Sequence, residues 1–502
     1  MITHIKISGF KSFHNFGMAF APLTVVAGVN ASGKSNLFDA LHLLSRLAET
    51  DLKTAFSEQR GDPDELFTQY GEDQYASDMA FTVEFLLHRK IRDNWGGKAE
   101  LNNTRLRYTL VIARKINDMG IDDLTVKHEC LEKIPPKADI WVKKIIPKEA
   151  DSLWKTKRAG GSKVPFIETI QQNERTTIKI RQDGRQGGKA TLANAVSQTV
   201  LGGISSVDFP HAFATKEEMR SWMFLQLNPE DLREPTRQDI GLRDTITPGG
   251  KNLAAVLYRI KQTDPYNLKE ISRKLNSFLP SFTEVEVYDD KVNRHFIIKI
   301  KGEDGKVFSS QVLSEGTLRL LALCVLEHDD RHTGLLCFEE PENGIHPFRM
   351  EAMAHLLRDM SVDFTDTDAP LRQVVVNTHS PVLVNQLLQW KDNPEVSVCL
   401  SRLNTLVTDM DGARSKIKIT KMSLPLKHSR RMNHGRNQRE TYPVGRVSAD
   451  RRPNEDRGRG GKPARMDSRA SEQAAAGVCR EASAVCALIA GKISRVSART
   501  RQ

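Results

Sequence analysis

Residues 23–44 read LTVVAGVNASGKSNLFDALHLL, and inside them Gly28-Val29-Asn30-Ala31-Ser32-Gly33-Lys34-Ser35 spells G-x-x-x-x-G-K-S. The apolar, β-branched run Leu23–Ala27 predicts a buried strand. From Lys34 onward Leu37, Phe38, Leu41, Leu44 and Ala48 recur at helical spacing. A glycine loop joining a strand to a helix is the setting in which this pattern cradles nucleotide phosphates. Gly28 and Gly33 let backbone N–H groups turn inward, Lys34 is placed to reach β- and γ-phosphates, and Ser35 offers a hydroxyl to Mg²⁺. A plain glycine turn is the bland alternative, and the flanking strand and helix disfavour it.

The chain has 502 residues, enough for two or three domains. Its 39% hydrophobic content suits a soluble protein. No run approaches the roughly 18–20 apolar residues of a membrane span, and MITHIKISGFKSF is no signal peptide. The six cysteines are scattered without metal-ligand spacing; Cys324 and Cys337 lie in apolar runs, as small core residues of a cytoplasmic protein do. The formal charge of +11 is concentrated at one end. Residues 428–502 hold 15 Arg and 2 Lys against 7 Asp or Glu, a net of +10, which leaves +1 for everything before them.

Four regions follow from the pattern. Residues 1–90 alternate short strands with the glycine-loop helix. Residues 91–240 are more irregular, with β-like pieces at Tyr108–Ala113 and Thr176–Ile180, lysine-rich stretches and glycine breaks, and read as an inserted α+β lid or arm. The absence of a heptad run argues against an extended coiled coil. Residues 241–427 return to strong helix (LAAVLYRIK) and strands (TEVEVYD, HFIIKIKG), and residues 428–502 form a basic, low-complexity tail.

Three dense apolar segments in the third region decide what the loop serves. In QVLSEGTLRLLALCVLEH, nearly every position from Leu318 to Leu326 is apolar, predicting a buried helix whose amino end presents Ser314, Glu315, Gly316 and Thr317 at the surface. Such an end favours anions, although an ordinary N-cap looks the same. In LLCFEEPENGIHP, a parallel-type strand ends in Glu339 and Glu340. Glu339 could hold Mg²⁺ and Glu340 orient or deprotonate water, or the pair could be a solvated acidic turn. In QVVVNTHSP, Val374–Val376 predict a third buried strand with His379 just beyond it, in reach of a γ-phosphate or merely structural. Ligands in open α/β sheets sit beyond the carboxyl ends of parallel strands, so the three motifs would converge on one nucleotide.

The set GVNASGKSN, LSEGT, LLCFEEPENGIHP and VVVNTHSP resembles the ABC-type ATPase heads of the SMC/RecF/OLD group, and most of all its bacterial stand-alone AAA family ATPases. ISGFKSF is similar to the opening of SMC heads, and PGGKNLAAVLYRIK to the stretch before the signature in the stand-alone members. The likeness covers about residues 1–90 and 205–410. It implies an α/β P-loop NTPase fold with an ABC-ATPase-like mixed sheet. By resemblance, Gly28, Asn30, Gly33, Lys34, Ser35 and Asn36 stand at Walker A. Ser314 and Gly316 stand where the signature meets the γ-phosphate bound by the opposite subunit. Glu339 stands at the Walker B Mg²⁺ position, Glu340 at the catalytic glutamate and His379 at the switch histidine. Lys11 lies near the phosphates in related heads. Val29 and Ala31 replace the commoner Pro and Gly, His346 replaces the D-loop Asp of transporters, and no Q-loop glutamine is evident. OLD nucleases continue into an acidic Toprim domain. Here a short strand pair follows (VSVCLSRL, SKIKITKM), Asp409-Met410-Asp411-Gly412 reads as its turn, and Asp366 and Asp368 precede the His379 strand, so no nuclease is expected.

The resemblance implies a cytoplasmic, ATP- and Mg²⁺-dependent homodimeric clamp in DNA repair or anti-phage defence. DNA and a separately encoded nuclease or toxin are its candidate partners, and no membrane is. The rivals are the ATPase subunit of a membrane transporter, disfavoured by the insertion at 91–240, and a non-hydrolysing interaction protein, disfavoured by Lys34, Glu339, Glu340 and His379 all being present. For the tail three readings stand: a frameshifted or read-through terminus, a disordered arm for nucleic acid or anionic partners, and a folded domain. Arginine without interleaved aromatics argues against a base-stacking platform.

Overall fold

The strand Leu23–Ala27 is buried along its whole length, inside a six-stranded sheet ordered Met223–Leu225, Gly334–Glu339, Arg372–Thr378, Leu23–Ala27, Val396–Met410, Ala413–Ser423. The first five run parallel, and the last closes an antiparallel hairpin. Continuous apolar runs are what a parallel sheet covered on both faces requires. Alternate residues divide between two cores. Val26, Leu335, Cys337 and Val375 join the glycine-loop helix Lys34–Leu47, while Val25, Leu336, Phe338 and Val376 join the helix Glu315–His328. Cys324 and Cys337 are buried, free thiols.

The computed structural model describes residues 1–424 except 72–73, 117–121, 151–153, 155–163, 173–174, 183–187, 193–196, 240–244, 330, 367–369 and 411–412. The chain divides into two units, Met1–Pro425 and Leu426–Gln502. The second unit lies outside the described residues, and with it the readings of the tail; so do Asp368, Asp411 and Gly412. No helix among the described residues is long and apolar enough to cross a membrane.

On the far side of the glycine-loop helix lies an antiparallel eight-stranded sheet, ordered Gly188–Leu192, Arg175–Arg181, Ile167–Gln172, Asp122–Lys133, Arg105–Ile116, Asp78–Leu86, Ile2–Ser8, Phe16–Ala19. Asp78–Leu86 pairs with Ile2–Ser8 on one edge and with Arg105–Ile116 on the other. Strands of the 91–240 region therefore extend the sheet begun by the amino-terminal strands. Behind the helix Glu315–His328, Phe282–Asp290, His295–Gly302, Val307–Ser309 and Thr236–Arg237 form a small sheet. The helix Pro265–Phe278 packs on it, started by Asp264, which accepts from the N–H groups of Tyr266 and Asn267, and by Pro265 in its first turn.

Candidate functional site

The register of the parallel strands fixes the site. Ala27 lies opposite Thr378, and Asn377 opposite Glu339, so the strands leading to the glycine loop, to His379 and to Glu339-Glu340 are neighbours that end flush. Thr378 O accepts from Gly28 N at 3.3 Å, and Asn377 O from Glu340 N at 2.8 Å.

The loop's backbone needs its glycines for two reasons. Gly33 caps the helix at φ +87°, and a Cβ there would come within 1.9 Å of Thr420 Oγ1. A Cβ on Gly28 would lie 2.8 Å from Ser401 O. The terminal hairpin thus supports the loop from beneath. Ala31 is held at φ +60°, and Asn30 is exposed at the loop's crown. Lys34 Nζ donates to Gly28 O and Val29 O at 2.9 and 3.0 Å. Burial lowers the Lys34 pKa, opposed by the charges of Glu340 and Glu342. Asn36 turns from the loop crown and donates to Ser12 Oγ at 2.7 Å.

A cavity of 710 Å³ opens beside the helix start, lined among others by Ser35, Gln226, Arg319, Glu339, Glu340 and Asn377. Burial raises the Glu339 pKa, Arg60 opposes that rise, and Asp39 and Glu340 add to it. Glu340 adopts φ +46°, a conformation rare for a residue with a side chain. Its carboxylate is held at both oxygens: His379 Nδ1 lies 2.8 Å from Oε1, and Asn343 Nδ2 donates to Oε2 at 2.9 Å. Burial would raise its pKa, but these two donors bring it below the ordinary value. Buried Glu342 accepts from the Thr378 hydroxyl through Oε1.

Lys11, at φ +43°, donates to Asp39 Oδ2 at 2.8 Å on the face of the loop helix one turn beyond Ser35. Arg60 bonds Asp39 Oδ1 at 2.9 Å and lies 3.7 Å from Glu339 Oε1. Ser314 is the N-cap of Glu315–His328, its Oγ accepting from Thr317 N at 3.3 Å. Ser314 and Glu315 are exposed, as expected of a presented helix end. Gly316 and Thr317 are buried instead, and Gly316 packs so closely that a Cβ on it would meet Gly344 O at 2.5 Å. No hydrogen bond among the described residues joins Ser314 to the glycine loop.

Sequence reasoning missed several groups that line or touch the site, Arg319 among them. Gln226 follows a three-residue edge strand, too short to show a period. Arg60 and Asn343 carry no local signal; only the fold brings them to the carboxylates.

The residues present fit Mg²⁺. Ser35, Glu339 and Asn377 line one cavity, and the buried Asn377 Oδ1 has no hydrogen-bond partner. No cluster of three His, Cys, Asp or Glu suited to a metal occurs among the described residues. Mg²⁺ needs none, since it is commonly held by one or two protein oxygens together with phosphate and water.

A glycine loop at the centre of a parallel sheet, with carboxylates and a histidine at the adjoining strand ends, defines an α/β P-loop ATPase fold of the ABC-head type. A family model described as "AAA domain, putative AbiEii toxin, Type IV TA system" matches residues 23–385, and the chain belongs to that family. No curated protein matches it. Among solved structures it is similar to an Smc head bound to the C-winged helix domain of ScpA (14% identity, TM-score 0.43, covering 84% of this chain and 98% of that one). It is also similar to an SMC head domain from Thermotoga maritima (13%, 0.34, 85% and 99%). A third is an Smc head with an extended coiled coil, bound to the C-terminal domain of ScpA derived from Pyrococcus furiosus (13%, 0.39, 84% and 96%). With TM-scores under 0.5, these likenesses carry no weight for the site.

Proposed function

We propose that the protein hydrolyses ATP as a nucleotide-gated homodimer. The observation that supports this reading is the flush alignment of three neighbouring strand ends, with Ser35, Glu339 and Glu340 lining one cavity and His379 in contact with Glu340. In this reading the N–H groups of the Gly28–Ser35 loop and the Lys34 ammonium hold the phosphates. Asn30 and Asn36 complete the loop's contacts, with Asn36 acting through Ser12. Ser35 and Glu339 hold Mg²⁺, whose charge offsets that of the phosphates. Glu340 takes a proton from the attacking water, and His379, tied to Glu340 through Nδ1, keeps Nε2 for the γ-phosphate. Among the described residues the Ser314 hydroxyl bonds only within its own helix and not to the glycine loop, which suits its use across a dimer interface.

The same reading assigns residues 1–90 and 241–427 to the ATPase body, 91–240 to a lid or arm, and 428–502 to an appended tail. It places the clamp in DNA repair or anti-phage defence, with DNA as a possible cargo and a separately encoded nuclease or toxin as effector. Glu340→Gln tests the core of it. The variant should bind ATP, accumulate as an ATP-dependent dimer by light scattering, and turn over about 10²–10⁴ times more slowly. Near-normal hydrolysis would remove Glu340 from its role.

A further inference from the structure

The loop between Glu340 and His346 touches the signature helix of its own chain. Arg319, half-buried one turn into that helix, donates through Nη1 to Asn343 O. A Cβ on Gly316 would lie 2.5 Å from Gly344 O, so helix and loop backbones are in direct contact there. From the other side of the same residue, Asn343 Nδ2 donates to Glu340 Oε2 at 2.9 Å, and Asn343 N donates to Glu340 O at 3.1 Å. Asn343 is exposed, so packing does not explain its orientation. Glu340, for its part, stands at a backbone angle that only surrounding contacts can maintain.

We propose that Asn343 is a positioning residue for hydrolysis: it holds Glu340 by its side chain while Arg319 holds it by its carbonyl, so the signature helix and the general base move as one piece. This rests on the ATPase reading above and adds a consequence to it. Whatever Ser314 meets at the head of the signature helix is relayed, through Arg319 and Asn343, to the base in the same chain. Closure on one nucleotide then sets the aim of the glutamate that serves the other. The carboxylate needs such a hold because a misplaced base loses the proton-transfer geometry that acid–base catalysis depends on.

The test compares Asn343→Ala, Arg319→Met and the double variant with the full-length protein, using steady-state ATP hydrolysis and equilibrium nucleotide binding. Each single change should lower kcat roughly tenfold or more, the worth of one hydrogen bond to a charged group, and the loss should fall on kcat far more than on KM. The double variant should be no slower than the slower single one, because both cut the same tether. Asn343→Gln and Arg319→Lys, which keep a donor, should recover part of the loss. Additive losses in the double variant, an effect on KM alone, or wild-type kcat in Asn343→Ala would each overturn the proposal. Glu340→Gln run alongside separates the two claims. If it stalls while Asn343→Ala turns over normally, only the tether fails; if Glu340→Gln itself hydrolyses ATP, the underlying reading fails.

Discussion

The two ends of the parallel sheet are built to opposite rules. At the amino ends, Arg372 spends its guanidinium on four carbonyls: Leu326, Glu327, Asp329 and His332, at 2.8–3.1 Å. Buried Asp329 is paired with Arg259 at 2.5 Å. The end of the helix Glu315–His328, whose last carbonyls lack partners within the helix, is closed by these contacts. At the carboxyl ends, Ala31 and Glu340 sit at positive φ. There too Ser32 Oγ, Glu342 Oε2 and Asn377 Oδ1 are buried without a hydrogen-bond partner; at the amino ends Glu327 Oε2 and His332 Nε2 are as well, but each of those lies within 3.5 Å of an ion-pair partner, His328 and Asp329. Strain and unpaired polar atoms cost stability and persist where a ligand or a reaction uses them. One end of the sheet is made to stay folded, the other to act.

The largest effect should come from breaking the active end without touching the fold. Ser314→Arg fills the exposed helix end that we assign to the partner's nucleotide. ATP turnover should fall by at least about 10²-fold, the loss typical of removing a preorganised contact to the transition state, with nucleotide affinity nearly intact. Mixing it with Lys34→Ala should restore activity, because one interface in the mixed dimer then pairs an intact glycine loop with an intact signature. A mixture that stays inactive while heterodimers are seen by native mass spectrometry rules out the shared site.

The next effect belongs to the other end. Arg372→Met leaves four buried or half-buried carbonyls without their donor and should destabilise the fold on the order of 3 kcal/mol or more. Its kcat per folded molecule should be close to wild type, since Arg372 is the first residue of the strand whose far end leads to His379. A strong loss of kcat with unchanged Tm would erase the distinction between the ends.

A smaller effect, of opposite sign, tests the idea that unpaired groups are kept for function. Asn377→Val removes a buried amide oxygen that has no partner. It should raise stability by about 1 kcal/mol while weakening Mg²⁺-dependent turnover. A destabilised but fully active variant would show that Asn377 is an ordinary core polar residue.

The active end was legible in the sequence to an unusual degree because its strands are short, continuous apolar runs. LTVVA, LLCF and VVV have few other structures open to them; LLCF and VVV deliver Glu339, Glu340 and His379 within three positions of their ends, and LTVVA leads straight into the glycine loop. The antiparallel sheet was harder. Arg105 and Glu129 are buried charges in its strands, and their satisfaction comes from distant residues: Asp139 for Arg105, and Tyr108 with the N–H groups of Val200 and Leu201 for Glu129. Those charges break the alternation that a period-2 reading depends on. For the same reason residues 91–240 looked irregular although much of the region is strand. The close approaches of Gly316 to Gly344 and of Gly33 to Thr420 join segments apart in the chain, and no local pattern announces them.

The smallest effect on catalysis should come from removing the basic tail. Truncation after Lys427 keeps the hairpin that bears Ser401 and Thr420, the two residues packed beneath the glycine loop. Every residue we place at the site precedes that hairpin, so ATP hydrolysis should be unchanged. Charge tells a different story. The tail carries a net +10 and the rest of the chain +1. Non-specific binding to DNA that arises from net charge should therefore weaken sharply. Each phosphate no longer neutralised flattens the slope of log K against log salt by about 0.9. Fluorescence anisotropy with a duplex at several salt concentrations reads that slope directly. If affinity and slope survive truncation, the contact surface is on the body, and the lysine-rich stretch from Lys143 to Lys157 is the first place to look. If truncation instead abolishes hydrolysis, residues 428–502 contribute to the ATPase and the boundary at 427 is wrong.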